Sequence, residues 1–474
     1  MSGGQSHVEV EPATPSEAPH GARLVADLVD VDLTSGRTFV PGVPHDAFDV
    51  LRAAGVAWHD EQPPDADLGG DVVHFVPSPG FWAVTSHELV SEVLRNPGTF
   101  SSYLGGTTLP SMSPDSLVMF RQMMLNMDPP DHVRLRRILQ PVFTPKAVGR
   151  LHEEIVVNAR EIVADLPGDT TDEVDLVTAV SAEMPLRVLA DLLGMPREDR
   201  HLIFQWSNAL LGLDHPGGTG PGRVDEAVTA FAELTAYGQA IADARRAEPR
   251  DDIVSRIVNA RVGGGGAADP VEVGGGGAAD HVEVDGERLT DTEFTMFWVL
   301  LVVAGNETTR SALSGAVIAL AEHDRWRWLA DRVDDPAHPT LLATAVDELL
   351  RYVAPVMQFR RTATTDTVLG DQHIRAGDKV VVWYGAACRD PEVFDAPHTL
   401  DLTRDPNPHL AFGVGPHFCL GAHLARLEVA EMLRTLLRRA PDLTLAGAPT
   451  RVPSNFVNGI GRLPVHLGSP ATVS

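Results

Sequence analysis

The chain has 474 residues, of which 43% are hydrophobic and 22% charged, proportions of a globular protein with a large core, not of a disordered or fibrous one. Its 38 basic residues stand against 65 acidic ones, a formal net charge of -27, which argues against nucleic acid as a partner because phosphate binding needs a basic surface. Two cysteines, Cys388 and Cys419, are too few for a disulfide framework and fit a reducing cytosol.

Residues 1–22 carry little apolar surface and are expected to be a disordered tail. They lack the basic start and apolar core of a signal peptide. The most apolar run, Phe294 to Gly305, is shorter than the roughly 20 residues of a membrane span. A soluble, cytoplasmic, monomeric protein without a membrane partner is therefore expected.

In chain order, the first segment with candidate site residues is MDPPDHVRLRR, Met127 to Arg137. His132 and Arg136, four apart, fall on one face of a helix there. Arg134, Arg137 and Lys146 add a basic patch to an acidic chain. Residues 263–273 (GGGGAADPVEV) are repeated at 274–284 with one change, Pro270 against His281. Two copies are too few for a solenoid, so residues 263–284 read as a flexible surface insertion.

The strongest helical signal follows. Thr290 and Glu293 form a capping box, and the pattern runs to about His323. Its centre, Ala304-Gly305-Asn306-Glu307-Thr308-Thr309, sets an acid and two hydroxyls inside an apolar helix. A second helix, from about Thr340 to Tyr352, carries Glu348 and Arg351 at pairing distance. Short strands are expected between Thr362 and Phe394, then an irregular stretch, Asp395 to Pro408, that contains Arg404. A last helix includes Leu424 to Arg439.

Before that helix lies Phe412-Gly413-Val414-Gly415-Pro416-His417-Phe418-Cys419-Leu420-Gly421. Its glycines and proline describe a tight turn of fixed shape, since only Gly takes φ > 0 cheaply. Gly421 lets a flat object approach the backbone. The helix that follows turns its N-terminus towards the sulfur, a field that favours thiolate. A lone cysteine is most often a small buried hydrophobe, but a rigid thiolate in an apolar loop suits a haem iron. The spacing Phe-Gly-x-Gly-x-His-x-Cys-x-Gly resembles the haem-binding signature of the cytochromes P450, and the likeness extends from about Phe39 to Leu467.

The resemblance implies a mainly helical fold with small β-sheets, in which residues 23–474 form one haem domain and a long central helix crosses the haem. It implies a monooxygenase using haem b, with Cys419 as iron ligand, dioxygen as cosubstrate, and electrons from NAD(P)H through a ferredoxin and a ferredoxin reductase. His132, Arg136, Arg361 and His417 match propionate-binding positions. Phe412 and Gly413 belong to the haem loop. Ala304 and Gly305 would leave room for oxygen, where the helix's hydrogen bonding can open locally. Glu307, where most relatives carry Asp, and Thr308 would deliver protons. Glu348, Arg351 and Arg404 would form a structural network bracing the cysteine loop, and the Arg134–Arg137–Lys146 patch would dock an acidic ferredoxin. Cys388, where relatives usually carry Asn, reads as a packing residue.

The implied substrate is an apolar small molecule: a steroid, a terpenoid or a lipid. A polyketide, peptide or carrier-bound intermediate stays open, hydroxylated or epoxidised by the same chemistry. A haem-thiolate isomerase or dehydratase would not need Glu307 and Thr308. A non-catalytic haem-binding protein would show no turnover.

Overall fold

The structure, a computed structural model, describes residues 18–19, 21–61, 75–167, 172–211, 221–250, 252–259 and 289–468. The duplicated insertion at 263–284 and most of the expected N-terminal tail lie outside these.

Helices dominate, as expected, and the central one organises the rest. It spans Asp291–Glu322, and the capping box forms in full, Thr290 accepting from the Glu293 amide and the Glu293 side chain from the Thr290 amide. At ~1.5 Å per residue it is about 48 Å long. Phe294, Phe297, Trp298, Val299 and Val302 bury different sides of its first half. A helix apolar all round must be surrounded by protein, and four helices supply the cover: Glu183–Leu192, Arg200–Leu211, Pro221–Ala247 and Leu341–Val353. The C-terminal helix, Ala422–Arg439, packs on the same core. Among the described residues no helix is long and apolar enough to cross a membrane.

The main sheet has five strands: β1 (Ala57–Asp60), β2 (Gly80–Val84), β3 (Phe100–Ser101), β4 (Gln358–Ala363) and β5 (Lys379–Trp383). Their order is β1-β2-β5-β4-β3, antiparallel except for the β2–β5 pair. β2 and β5 are buried along their whole length, as the continuous apolar run VVVW of β5 requires. The strands expected between Thr362 and Phe394 appear as β5 and a hairpin, Thr367–Leu369 with Gln372–Ile374. Residues 395–408 contain turns but no helix or strand. This sheet places Arg361 of β4 beside the cysteine loop.

Candidate functional site

The cysteine loop is shaped by backbone constraints near it in sequence. Gly413 and Gly415 have φ of 68° and 79°. A Cβ on Gly415 would also lie 2.5 Å from the Leu94 carbonyl oxygen, so glycine is required twice over. The Cys419 amide donates to the Phe412 carbonyl at 2.9 Å, closing the loop. Gly421 caps the C-terminal helix, and its amide points at the Cys419 sulfur. Burial nevertheless pushes the free thiol up, against that amide and the positive charges of Arg136 and Arg426. A cation bound at the sulfur would favour the thiolate.

Of the four residues expected beside the cysteine, His132, Arg136 and His417 line one cavity with it, and Arg361 lies close enough for its charge to act on both histidines. The His132 and His417 rings lie 4.1 Å apart. Arg136 donates to the Phe418 carbonyl at 2.7 Å and Arg361 to its neighbour Arg360 at 2.7 Å. Neither guanidinium is ion-paired among the described residues. Burial lowers His132 to about 4, helped by the charges of Arg136 and Arg361, and holds His417 well below its usual value, with Arg361 the leading charge. His132 Nδ1 is buried without a hydrogen-bond partner.

The acid–alcohol segment departs from expectation in two ways. The helix runs unbroken through it, and Thr308 Oγ1 donates back to the Ala304 carbonyl at 2.7 Å, so no local opening occurs. A Cβ on Gly305 would meet Leu189 at 3.0 Å. Its small size therefore serves close helix packing, and Ala304 is the residue exposed at this point. Glu307 is buried and ion-paired with Arg310, with Ser311 Oγ 3.4 Å from its carboxylate. Burial pushes the Glu307 carboxyl up, opposed by the charge and hydrogen bond of Arg310 and by Ser311. Arg310 also donates to Asn208, and Asn306 to Ser207, both on Arg200–Leu211. Arg310 had no role assigned from sequence, although its spacing from Glu307 is the one that identified Glu348 and Arg351.

The bracing network forms as expected. Arg351 is fully buried and pairs with Glu348 at 2.7 Å, while Arg404 reaches the same carboxylate at 3.1 Å. Glu348 also accepts from the Asp401 amide and the Asn407 side chain, so one acid anchors the irregular stretch. Cys388 is fully buried and away from the cavity; its carbonyl accepts from Arg351 at 2.7 Å. Burial pushes its thiol up to about 11.

The basic patch does not survive intact. Arg134 pairs with Glu293 of the central helix, which turns its charge inward to a structural contact. Arg137 and Lys146 remain exposed.

These elements enclose a cavity of about 460 Å³. Cys419, Phe412, Gly413, His132, Arg136, His417, Ala304, Gly305, Glu307 and Thr308 all line it. Its other walls are largely apolar, with Met112, Met119, Phe120, Phe231, Val356 and Phe456 among them. A haem fits what is present. A thiol, the Arg136 guanidinium and the His132 imidazole, whose Nδ1 has no partner, line it, Arg361 lies near enough to act on that imidazole, and a Cβ on Gly421 would meet no protein atom within 4 Å.

Comparison with known proteins agrees. The family model described as Cytochrome P450 matches residues 278–440. The chain is 37% identical over 448 residues to the steroid C26-monooxygenase of Mycobacterium tuberculosis, covering 92% of this chain and 94% of the relative. It is 38% identical over 395 residues to the methyl-branched lipid omega-hydroxylase of the same organism, covering 82% and 85%. The solved structure of a Mycobacterium marinum cytochrome P450 in complex with pseudoionone superposes with a TM-score of 0.74 at 37% identity, covering 89% of this chain and 94% of that one.

Proposed function

The chain belongs to the cytochrome P450 family, and from that premise we propose that it oxidises a steroid, a terpenoid or a branched lipid. The protein is a haem-dependent monooxygenase acting on an apolar small molecule, with haem b as cofactor, dioxygen as cosubstrate and NAD(P)H electrons delivered by redox partners. When bound, the haem supplies the oxidising power that inserts one oxygen atom into an unactivated C–H bond and releases the other as water.

In this reading Cys419 is the iron ligand. Arg136 and Arg361 neutralise the propionates, their two positive charges matched to a dianion, while His132 and His417, kept neutral by burial, offer hydrogen bonds. Phe412, Gly413 and Ala304 pack about the ring, and Gly305 lets the central helix close on Leu189 beside it. The Thr308 hydroxyl, back-bonded to Ala304, keeps its oxygen towards the cavity, where it can accept and pass on a proton. Glu307, held by Arg310, is the interior acid that replenishes it. The rest of the chain binds and orients: apolar walls exclude water and leave few polar groups for a substrate to satisfy.

The observation that carries the substrate class is that wall of methionine, phenylalanine and valine, together with relatives named for steroid C26 and methyl-branched lipid ω oxidation. The test is a binding screen of the holoprotein against steroids, terpenes and branched fatty acids, watching the Soret band for loss of iron-bound water. If all three leave the band unchanged while a carrier-bound acyl chain shifts it, the tailoring reading replaces this one. We further read residues 23–474 as one haem domain of a cytoplasmic monomer, served by a ferredoxin and its reductase.

A further inference from the structure

Beside the Glu348 network, a second ion cluster holds the other end of the cysteine loop. Asp347 precedes Glu348 on the helix Leu341–Val353. Its Oδ1 accepts from Arg426 Nε at 2.7 Å and lies 3.3 Å from His409 Nε2. The His409 ring is nearly fully buried, and its Nδ1 accepts from the Ala411 amide at 3.2 Å. That bond leaves Nε2 as the protonated nitrogen, donating to Asp347. Arg426, on the C-terminal helix, lays its guanidinium over the Phe412 ring with Cζ 4.5 Å from the centroid. Phe412 in turn holds Cys419 through the carbonyl–amide bond at 2.9 Å.

Three elements are thus linked around one aromatic ring: Arg426 of the C-terminal helix stacks on it, His409 of the loop entrance lies beside it with ring centroids 5.9 Å apart, and Asp347 of the bracing helix holds both. Arg426 lies on the helix that opens at Gly421, just past Cys419, and stacks on the residue whose carbonyl holds the Cys419 amide. Arginine suits this place because a planar cation can stack on a ring and pair with a carboxylate at once. The Arg426 and Asp347 side chains are 32% and 35% exposed. A pair at the rim of the protein is weak as a stabilising contact, so its worth must lie elsewhere.

We propose that the Asp347–Arg426 pair, clamped on Phe412, sets the electron affinity of the iron held by Cys419. Arg426 supplies a positive charge that favours the state with one electron more, and Asp347 limits how much of that charge the loop feels. These are positioning residues, acting through Phe412 and the local field. The proposal rests on Cys419 being the iron ligand.

The experiment is a spectroelectrochemical titration of the purified holoprotein and of R426Q, R426K and D347N at one pH and ionic strength. The carbon monoxide spectrum of each reduced protein is recorded beside it. The expected result is a more negative reduction potential for R426Q, a more positive one for D347N, and R426K between R426Q and the parent, all with the thiolate-type spectrum kept. A purely structural brace would loosen the loop in both Q and N variants and move their potentials the same way. Shifts of the same sign, or none, overturn the proposal. Should D347N fail to take up haem, the arginine pair decides, and R426K no closer to the parent than R426Q overturns it. Failure of the ligand assignment is separate, since it would show as a thiolate spectrum that survives C419S.

Discussion

Glu428 offers the sharpest test of the electrostatics around the haem cavity. It lies on the C-terminal helix past Cys419, is 4% exposed, and lines the cavity. Among the described residues no cation pairs with it, and its Oε2 has no hydrogen-bond partner. Burial alone pushes its carboxyl from 4.5 up to about 8, so the folded protein keeps a proton that the unfolded chain releases. Between those values the native state binds more protons than the unfolded one, and stability falls as pH rises. At about 1.4 kcal/mol per pH unit, the loss is bounded by about 5 kcal/mol, and internal relaxation brings the expected figure to about 1–3 kcal/mol. E428Q keeps the shape, cannot ionise, and removes that slope. Urea unfolding of both proteins between about pH 5 and about pH 8 should show the variant gaining on the parent as pH climbs, with the difference levelling above about pH 8. Parent and variant curves that run parallel across this range would refute the picture of an uncompensated buried acid.

C419S should abolish the red-shifted carbon monoxide Soret band of thiolate-ligated haem, and C388S should leave it in place; the reverse pattern would move the ligand. T308A should bind substrate normally yet divert electrons to peroxide, while E307Q should slow turnover by roughly 10²-fold, the usual worth of a positioned acid; unchanged coupling and rate in both would remove this helix from the proton path. R137E should slow the first electron transfer from an acidic ferredoxin and flatten its salt dependence, since the Debye length falls from ~10 Å at ~0.1 M to ~3 Å at ~1 M. R134E, by contrast, should lower stability by setting two acids against each other at Glu293, and an R134E protein as stable as the parent would show that this pair contributes nothing.

What the sequence made legible was local. The cysteine loop could be read because glycine at 413 and 415 answers to a backbone angle at those positions, and Thr290 with Glu293 because a capping box closes within one turn. Glu348 with Arg351 follows from helical spacing alone. Contacts between distant segments were not legible. Arg134 reads as a solvated docking charge until Glu293 is brought to it by the fold. Gly305 reads as room for a ligand until Leu189 fills the space. Arg404 was placed only by likeness to a family, since nothing in DLTRDPNPHLAF says which acid it will meet.

The same limit hides Asp347 beside Glu348 in the sequence. Adjacent residues on a helix point about 100° apart, so two neighbouring acids serve different partners. Glu348 turns inward to Arg351, Arg404 and Asn407. Asp347 turns to His409 and Arg426. A single helix therefore grips the irregular stretch through one carboxylate and the entrance of the cysteine loop through the next. The strand-free segment from 395 to 418 is held mainly by the Glu348 grip, because it has few backbone hydrogen bonds of its own to hold its shape. Fully buried, the Glu348 grip is costly to break, whereas the half-exposed Asp347 grip is cheap to break and leaves its charge free to act on the loop.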